Sequence, residues 1–70
     1  PKPVEGEIRV KGARGENMDV DILSLSGQLV LTRNIVAGEK VDVETLKSGI
    51  YLIRIKTANE FPQLFKILKR

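Results

Sequence analysis

Apolar and polar residues alternate along most of this chain, and no stretch sustains a helical period. Successive side chains of a β-strand point to opposite faces, so a two-residue period is typical of strands that bury one face. The strongest run covers residues 50–57, where Ile53 and Ile55 alternate with Arg54 and Lys56. The alternation therefore predicts an all-β chain.

Turn-forming residues divide the chain into six to seven short strands. They recur at intervals of about 8–12 residues, which is the spacing expected of an antiparallel β-sandwich. Ser26 and Gly27 predict a tight two-residue hairpin. The other turns are expected at residues 12–15, 37–38, 47–49 and 58–60.

Three local features add detail to the strand pattern. The apolar phase shifts between Ile22 and Leu23, which predicts either a β-bulge or a strand end covered on both faces. Asn34 is expected to lie in a break after the third strand, and the last strand is expected over residues 64–69. Pro62 has no amide proton, so it is expected at a strand start or on an edge strand.

The residue types present argue against catalysis. The 70 residues form one small domain, and 41% hydrophobic residues make it too apolar for a disordered tail. Cysteine and histidine are both absent, which removes disulfides, thiolate metal sites and the commonest general base. We therefore expect no enzyme activity, no metal site and no bound cofactor.

The acidic and hydroxyl residues have a structural interpretation. Asp19 and Asp21 share one strand face, but calcium needs about six to eight oxygens and no loop is arranged to supply them. We expect the pair to lie on the solvated face of a half-buried strand. The serines, which lack a histidine base, are expected to form turns.

The positive charge is confined to the end of the chain. Residues 1–60 contain nine basic and nine acidic residues, so the net charge of +3 comes from Lys66, Lys69 and Arg70. A nucleic-acid interface would need a basic face with stacking aromatics, and a membrane span would need about 20 apolar residues. Neither nucleic-acid binding nor direct membrane insertion is expected.

The last two strands contain the side chains with the clearest expected contacts. Tyr51 is expected to pack its ring while its hydroxyl caps a neighbouring backbone group. Gly49 is expected to adopt a turn conformation that β-branched residues disfavour. In the terminal strand, Phe65, Ile67 and Leu68 are expected to pack, and the lysines are expected to lie exposed, where they discourage edge-to-edge aggregation.

Three segments together carry a family resemblance. Residues 21–30 (DILSLSGQLV) form an aspartate-containing apolar strand that meets a glycine turn and restarts, and residues 46–55 (LKSGIYLIRI) place Gly-x-Tyr before alternating apolar residues. Residues 65–70 (FKILKR) end on a Lys-apolar-apolar-basic pattern. In order and spacing, residues 4–70 resemble the C-terminal sorting domain of type IX secretion substrates in Bacteroidota. The usual opening Asn-Pro is absent, and Gln28 stands where Arg or Lys is frequent.

The resemblance implies an immunoglobulin-like sandwich that acts as a non-catalytic secretion signal. Such a domain directs a covalently attached N-terminal cargo through the outer-membrane translocon, with shuttle proteins as partners, and a sortase-like cysteine peptidase then removes it. It passes through the periplasm, and its cargo reaches the outer-membrane surface or is secreted. Residues 1–5 would be the end of a linker and residues 6–70 the sorting domain. The candidate sorting-signal residues are Gly27, Gly49, Tyr51, Lys66, Ile67, Leu68, Lys69 and Arg70.

Two alternatives remain open from the sequence. The chain could be an immunoglobulin-like accessory or carbohydrate-binding module of an extracellular enzyme. Such modules commonly use aromatic platforms, and the only aromatic residues here are Tyr51, Phe61 and Phe65. A strand-exchanged homodimer is the second alternative, because terminal strands of small sandwiches can exchange between chains.

Overall fold

All regular structure in residues 5–58 and 60–70 is β-strand. The computed structural model describes residues 5–58 and 60–70; Asn59 of the expected turn and residues 1–4 of the expected linker lie outside the described residues. The strands are β1 (Glu7–Arg9), β2 (Asn17–Ser24), β3 (Leu29–Val36), β4 (Lys40–Asp42), β5 (Gly49–Thr57) and β6 (Glu60–Lys69). Within these ranges, no helical segment has the length and apolarity that a bilayer crossing requires.

The six strands found in the described residues form two antiparallel sheets. The large sheet has the order β3-β2-β5-β6, and the small sheet consists of β1 and β4. Every strand pairing is antiparallel. The prediction of a small immunoglobulin-like antiparallel β-sandwich is confirmed, with six strands.

The core lies between the two sheets. Val20, Ile22 and Ile53 come from the large sheet and pack in one cluster with Val41 and Val43, which lie in β4 and directly after it. Full burial of such an aliphatic side chain contributes about 1.5–3 kcal/mol. The other buried members of the cluster are Val10, Met18 and Ile35.

The hairpin between β2 and β3 has one more loop residue than the sequence predicts. The amide of Ser24 donates to the carbonyl of Gln28 (2.9 Å), which closes a three-residue loop from Leu25 to Gly27. The amide of Gly27 donates back to the carbonyl of Ser24 (2.9 Å), and Gly27 has a φ of +90°. A turn followed by a left-handed glycine is the usual geometry of a three-residue hairpin, so the expected two-residue hairpin is wrong.

A β-bulge lies beside this hairpin. Ile22 pairs with Leu31 and Leu23 pairs with Leu29, which leaves Val30 as an extra residue of β3. The predicted bulge is thus confirmed. The extra residue belongs to β3, and the pairing of β2 with β5 is continuous on the other side.

Two strand boundaries differ from the expectation. Asn34 lies inside β3, where it pairs with Asp19 of β2. Its side-chain amide also donates to the Oδ1 atom of Asp19 (2.8 Å), which adds a contact between the two strands. The last strand begins at Glu60 and not at residue 64. Pro62 lies on the edge strand β6, as predicted, where no second neighbour needs its missing amide proton.

Candidate recognition surface

The three segments that carry the family resemblance meet at one end of the large sheet. Ser24 of β2 pairs with Tyr51 of β5, and Gly49 of β5 pairs with Lys69 of β6. The hairpin loop that contains Gly27, the start of β5 and the end of β6 therefore lie side by side. We call this region, which comprises residues 25–27, 49–51 and 66–70, the corner end of the sheet. All eight candidate signal residues lie in its three segments, although more than 40 residues separate the first from the last.

Gly49 and Tyr51 form a tyrosine corner at the start of β5. The Tyr51 hydroxyl donates to the carbonyl oxygen of Lys47, four residues upstream (2.7 Å), and the ring packs against the core. Gly49 has a φ of +155°, outside the range that L side chains readily adopt. The expected capping hydrogen bond is confirmed. The geometry matches the corner that fixes chain direction in immunoglobulin-like sandwiches, so the Gly-x-Tyr motif stabilises the fold.

The terminal strand presents different side chains on its two faces. Ile67 pairs with Tyr51 on the inner face and is partly buried against the core. Lys66 and Leu68 lie on the outer face, opposite Leu52 and Ile50. Lys66 is exposed, and Leu68 retains 48% of its accessible surface. The expectation that Leu68 packs is therefore met only in part, because no layer formed by the described residues covers the outer face.

Lys69 is buried, contrary to the expectation that the terminal lysines lie exposed. It pairs with Gly49 on the inner face and retains 6% of its surface. Glycine leaves room beside it, so the aliphatic stem of the lysine fills the end of the sandwich while its Nζ atom donates to the carbonyl oxygen of Arg70 (2.5 Å). Of the three terminal cations, Lys66 and Arg70 are the exposed ones.

The outer face of the large sheet carries a polar row at its centre. Asp21 Oδ1 accepts a hydrogen bond from Thr32 Oγ1 (2.6 Å), and Asp21 Oδ2 accepts from Arg54 Nη2 (2.9 Å). The Thr32 hydroxyl and the Arg54 guanidinium hold the pKa of the Asp21 carboxyl below its ordinary value. Asp19, on the same face, accepts from Asn34. Both carboxylates thus bind neighbouring strands, as expected for a polar strand face.

Apart from the central row, the large sheet has little charge compensation. In residues 5–58 and 60–70, the ion pairs are Arg54–Asp21 (2.9 Å) and Lys40–Glu7 (3.5 Å). Lys66 and Arg70 have no carboxylate within ion-pair distance in that part of the chain. The described residues also contain no group of three potential metal-ligating side chains.

An apolar groove that the sequence pattern does not predict lies on the inner face of β5 and β6. The groove has a volume of about 620 Å³ and lies beside β1, because the two-stranded sheet covers only part of the four-stranded one. Phe61 and Phe65 line it and retain 92% and 48% of their surface. Phe65 was expected to pack, and it is only half covered. The available signal was Phe61, an aromatic residue next to Pro62 that lies between the turn expected at residues 58–60 and the strand expected from residue 64.

The fold defines a class: a small all-β domain of two antiparallel sheets, with its candidate signal residues gathered at one end of the larger sheet. Residues 1–69 match the family model described as the secretion system C-terminal sorting domain. The chain therefore belongs to the family of type IX secretion C-terminal sorting domains. Searches of curated proteins and of solved structures found no match to this chain.

Proposed function

We propose that this domain is a non-catalytic signal that directs an attached cargo through the outer-membrane type IX translocon. The observation that carries the proposal is the family match, which covers nearly the whole chain. The tyrosine corner and the polar row account for the hydrogen bonds of Tyr51 and Asp21, so these residues have structural tasks. A signal domain needs a stable surface, and it does not need groups that titrate near neutral pH.

The corner end is the surface that we propose the translocon or its shuttle proteins bind. It presents Leu68 and Ile50 beside Lys66, and Arg70 follows the strand end. Exposed cations without carboxylate partners attract and orient an acidic surface, and they repel a basic one. The partner would therefore offer apolar contacts surrounded by carboxylates.

The remaining parts of the proposal concern the cargo. Residues 1–5 would end the linker from an N-terminal cargo domain, and residues 6–70 would form the signal. A sortase-like cysteine peptidase would cut upstream of the domain after transit through the periplasm, in a bacterium of the Bacteroidota. Strand β6 is a ten-residue edge strand, which supports strand exchange between two copies as the route to a homodimer.

The test uses residues 1–70 fused to a periplasm-targeted fluorescent reporter in a type IX-competent bacterium. The fusion should reach the cell surface, and a strain without the translocon should retain it in the periplasm. The double variant Lys66→Glu/Arg70→Glu should keep its fold and remain in the periplasm, because a complementary acidic receptor would then meet like charge.

The matched control reverses two exposed cations away from the corner end that form no ion pair among the described residues, Arg14→Glu and Lys56→Glu. This variant has the same net charge change and should be exported normally. Translocon-independent surface delivery of the fusion would refute the proposal as a whole. Normal export of the folded Lys66/Arg70 variant would remove the corner end from the recognised surface.

A further inference from the structure

The groove beside β1 has an unpaired strand edge along one wall. Gly6 and Val10 flank β1, and their carbonyls accept hydrogen bonds from the amides of Val43 and Gly38. Ile8, which lies between them and pairs with Val41, therefore also points its backbone groups toward β4. Backbone groups alternate in direction along a strand, so those of Glu7 and Arg9 point the other way. Among the described residues, β4 is the only strand that pairs with β1.

The floor of the groove is apolar and wide enough for one more strand. Ile55, Phe61, Phe65 and Ile67 contribute its apolar surface, and no residue of β4 lines it. Neighbouring strands lie about 4.8 Å apart, so a sheet of two strands over a sheet of four leaves room for a third. At one end the hydroxyl oxygen of Thr57, which also lines the groove, is buried without a hydrogen-bond partner among the described residues.

The open side of the groove carries positive charge next to the free edge. Arg9, Lys11 and Lys66 line the groove, and none of them forms an ion pair in the described part of the chain, although Arg9 Nη1 donates to the carbonyl oxygen of Gly38 (3.4 Å). The lining also contains two acidic residues, Glu16 and Glu60. The carboxylate of Glu16 accepts a hydrogen bond from the backbone amide of Ala13. Carboxylates on an added strand opposite Arg9 and Lys11 would form favourable cross-strand pairs.

We propose that this groove binds an extended segment of a partner protein by strand addition to β1. The segment alternates apolar side chains, which lie on Ile55, Phe61 and Phe65, with acidic side chains that face Arg9 and Lys11. Its backbone pairs with Glu7 and Arg9, so the small sheet gains a third strand. A second copy of this chain fits less well, because its net charge of +3 brings like charge to the rim. The groove shares Lys66 with the corner end, since Lys66 also lines it, whereas Leu68 and Arg70 do not.

The test titrates a fluorescently labelled synthetic octapeptide of alternating glutamate and valine into the 70-residue chain and follows binding by anisotropy. Amide hydrogen exchange is measured with and without the peptide. Binding should slow exchange at Glu7 and Arg9, since these amides gain partners. A peptide that alternates lysine and valine should bind several-fold more weakly, because the cross-strand charge pairs are lost.

Two variants locate the site on the protein. Phe61→Ser should weaken binding roughly tenfold and leave the fold intact, because this side chain is almost fully exposed. Arg9→Glu should abolish the preference for the acidic peptide. The matched controls are Leu25→Ser at the hairpin tip and Lys56→Glu on the outer face, and both should bind like the parent chain.

Three results would overturn the proposal. The first is the absence of binding at millimolar peptide. The second is binding without slower exchange at Glu7 and Arg9, since the peptide would then lie elsewhere. The third is concentration-dependent dimerisation that protects these amides without peptide, which would make a second copy the occupant.

Discussion

Tyr51 and Gly49 show how single residues set the chain direction at the start of β5. The hydroxyl of Tyr51 holds the carbonyl of Lys47 at 2.7 Å, which fixes the segment between them against the strand. Gly49 supplies the backbone angle that this corner requires.

Replacing Gly49 by valine should destabilise the domain by about 1–3 kcal/mol, because a β-branched residue is strained at a φ of +155°. The control is Gly6→Val, at a glycine that has open space where a Cβ atom would lie and no left-handed backbone angle. Chemical denaturation of both variants measures the difference. Equal free energies of unfolding would show that the corner does not depend on the glycine backbone.

Asp21 should make the stability of the domain depend on pH in the acid range. Its hydrogen bonds with Thr32 and Arg54 lower the pKa of the carboxyl from 3.8 in the folded state. The stabilisation is therefore present above about pH 3.8 and is lost as the pH falls through the lower folded-state value. At neutral pH it should amount to about 1–2 kcal/mol, since Arg54 is partly exposed.

The measurement compares the parent chain with Asp21→Asn between neutral pH and pH 2, the variant resembling a protonated aspartate. The parent should be more stable at neutral pH, and the difference should shrink as the pH falls below the ordinary aspartate range. Arg54→Gln should reduce the pH dependence. A difference that stays constant with pH would mean that the carboxylate charge does not contribute to folding.

At the scale of the strand, β6 combines a structural face with an exposed face. Lys69 and Ile67 belong to the inner face, and Lys66 and Leu68 belong to the outer face. Sequence alternation predicts that neighbours lie on opposite faces, but it does not state which face is covered. Which face of β6 is covered depends on how far the two-stranded sheet extends over the four-stranded one, and the local sequence of β6 does not determine this.

Lys69→Glu should therefore destabilise the domain by about 1–3 kcal/mol, because a carboxylate would replace a buried lysine and lose the hydrogen bond to Arg70. Lys66→Glu, its exposed counterpart in the same strand, should change the free energy of unfolding by less than about 0.5 kcal/mol. Thermal unfolding of the two variants tests the assignment of faces. Equal melting temperatures would contradict it.

The strands themselves were predictable, whereas their edges and uncovered surfaces were not. Alternation located all six strands, because burial on one face imposes a period of two. The position of Asn34 was misjudged because its hydrogen bond to Asp19 on another strand outweighs its local preference for turns. The groove was missed because it arises from the unequal widths of two sheets, which no local pattern encodes.

At the scale of the whole molecule, both sheets contribute to one core, so the domain should unfold as a unit. Ile22 of the large sheet and Val41 of the small sheet are both almost completely buried in the same cluster. A chain of this size is stabilised by roughly 4–10 kcal/mol, so losing a single core side chain should affect the entire sandwich.

Ile22→Ala should lower the free energy of unfolding by about 2–5 kcal/mol, and Val41→Ala should lower it by about 1–3 kcal/mol, because each leaves a cavity between the sheets. The control is Leu25→Ala at the exposed hairpin tip, which should have little effect. Each variant should show one transition, with fluorescence of Tyr51 and far-UV circular dichroism changing together. If Val41→Ala instead frees β1 and β4 while the amides of β2 and β5 stay protected, the four-stranded sheet is stable alone. The small sheet would then be a cover that can open, and the groove beside β1 would widen without unfolding of the corner end.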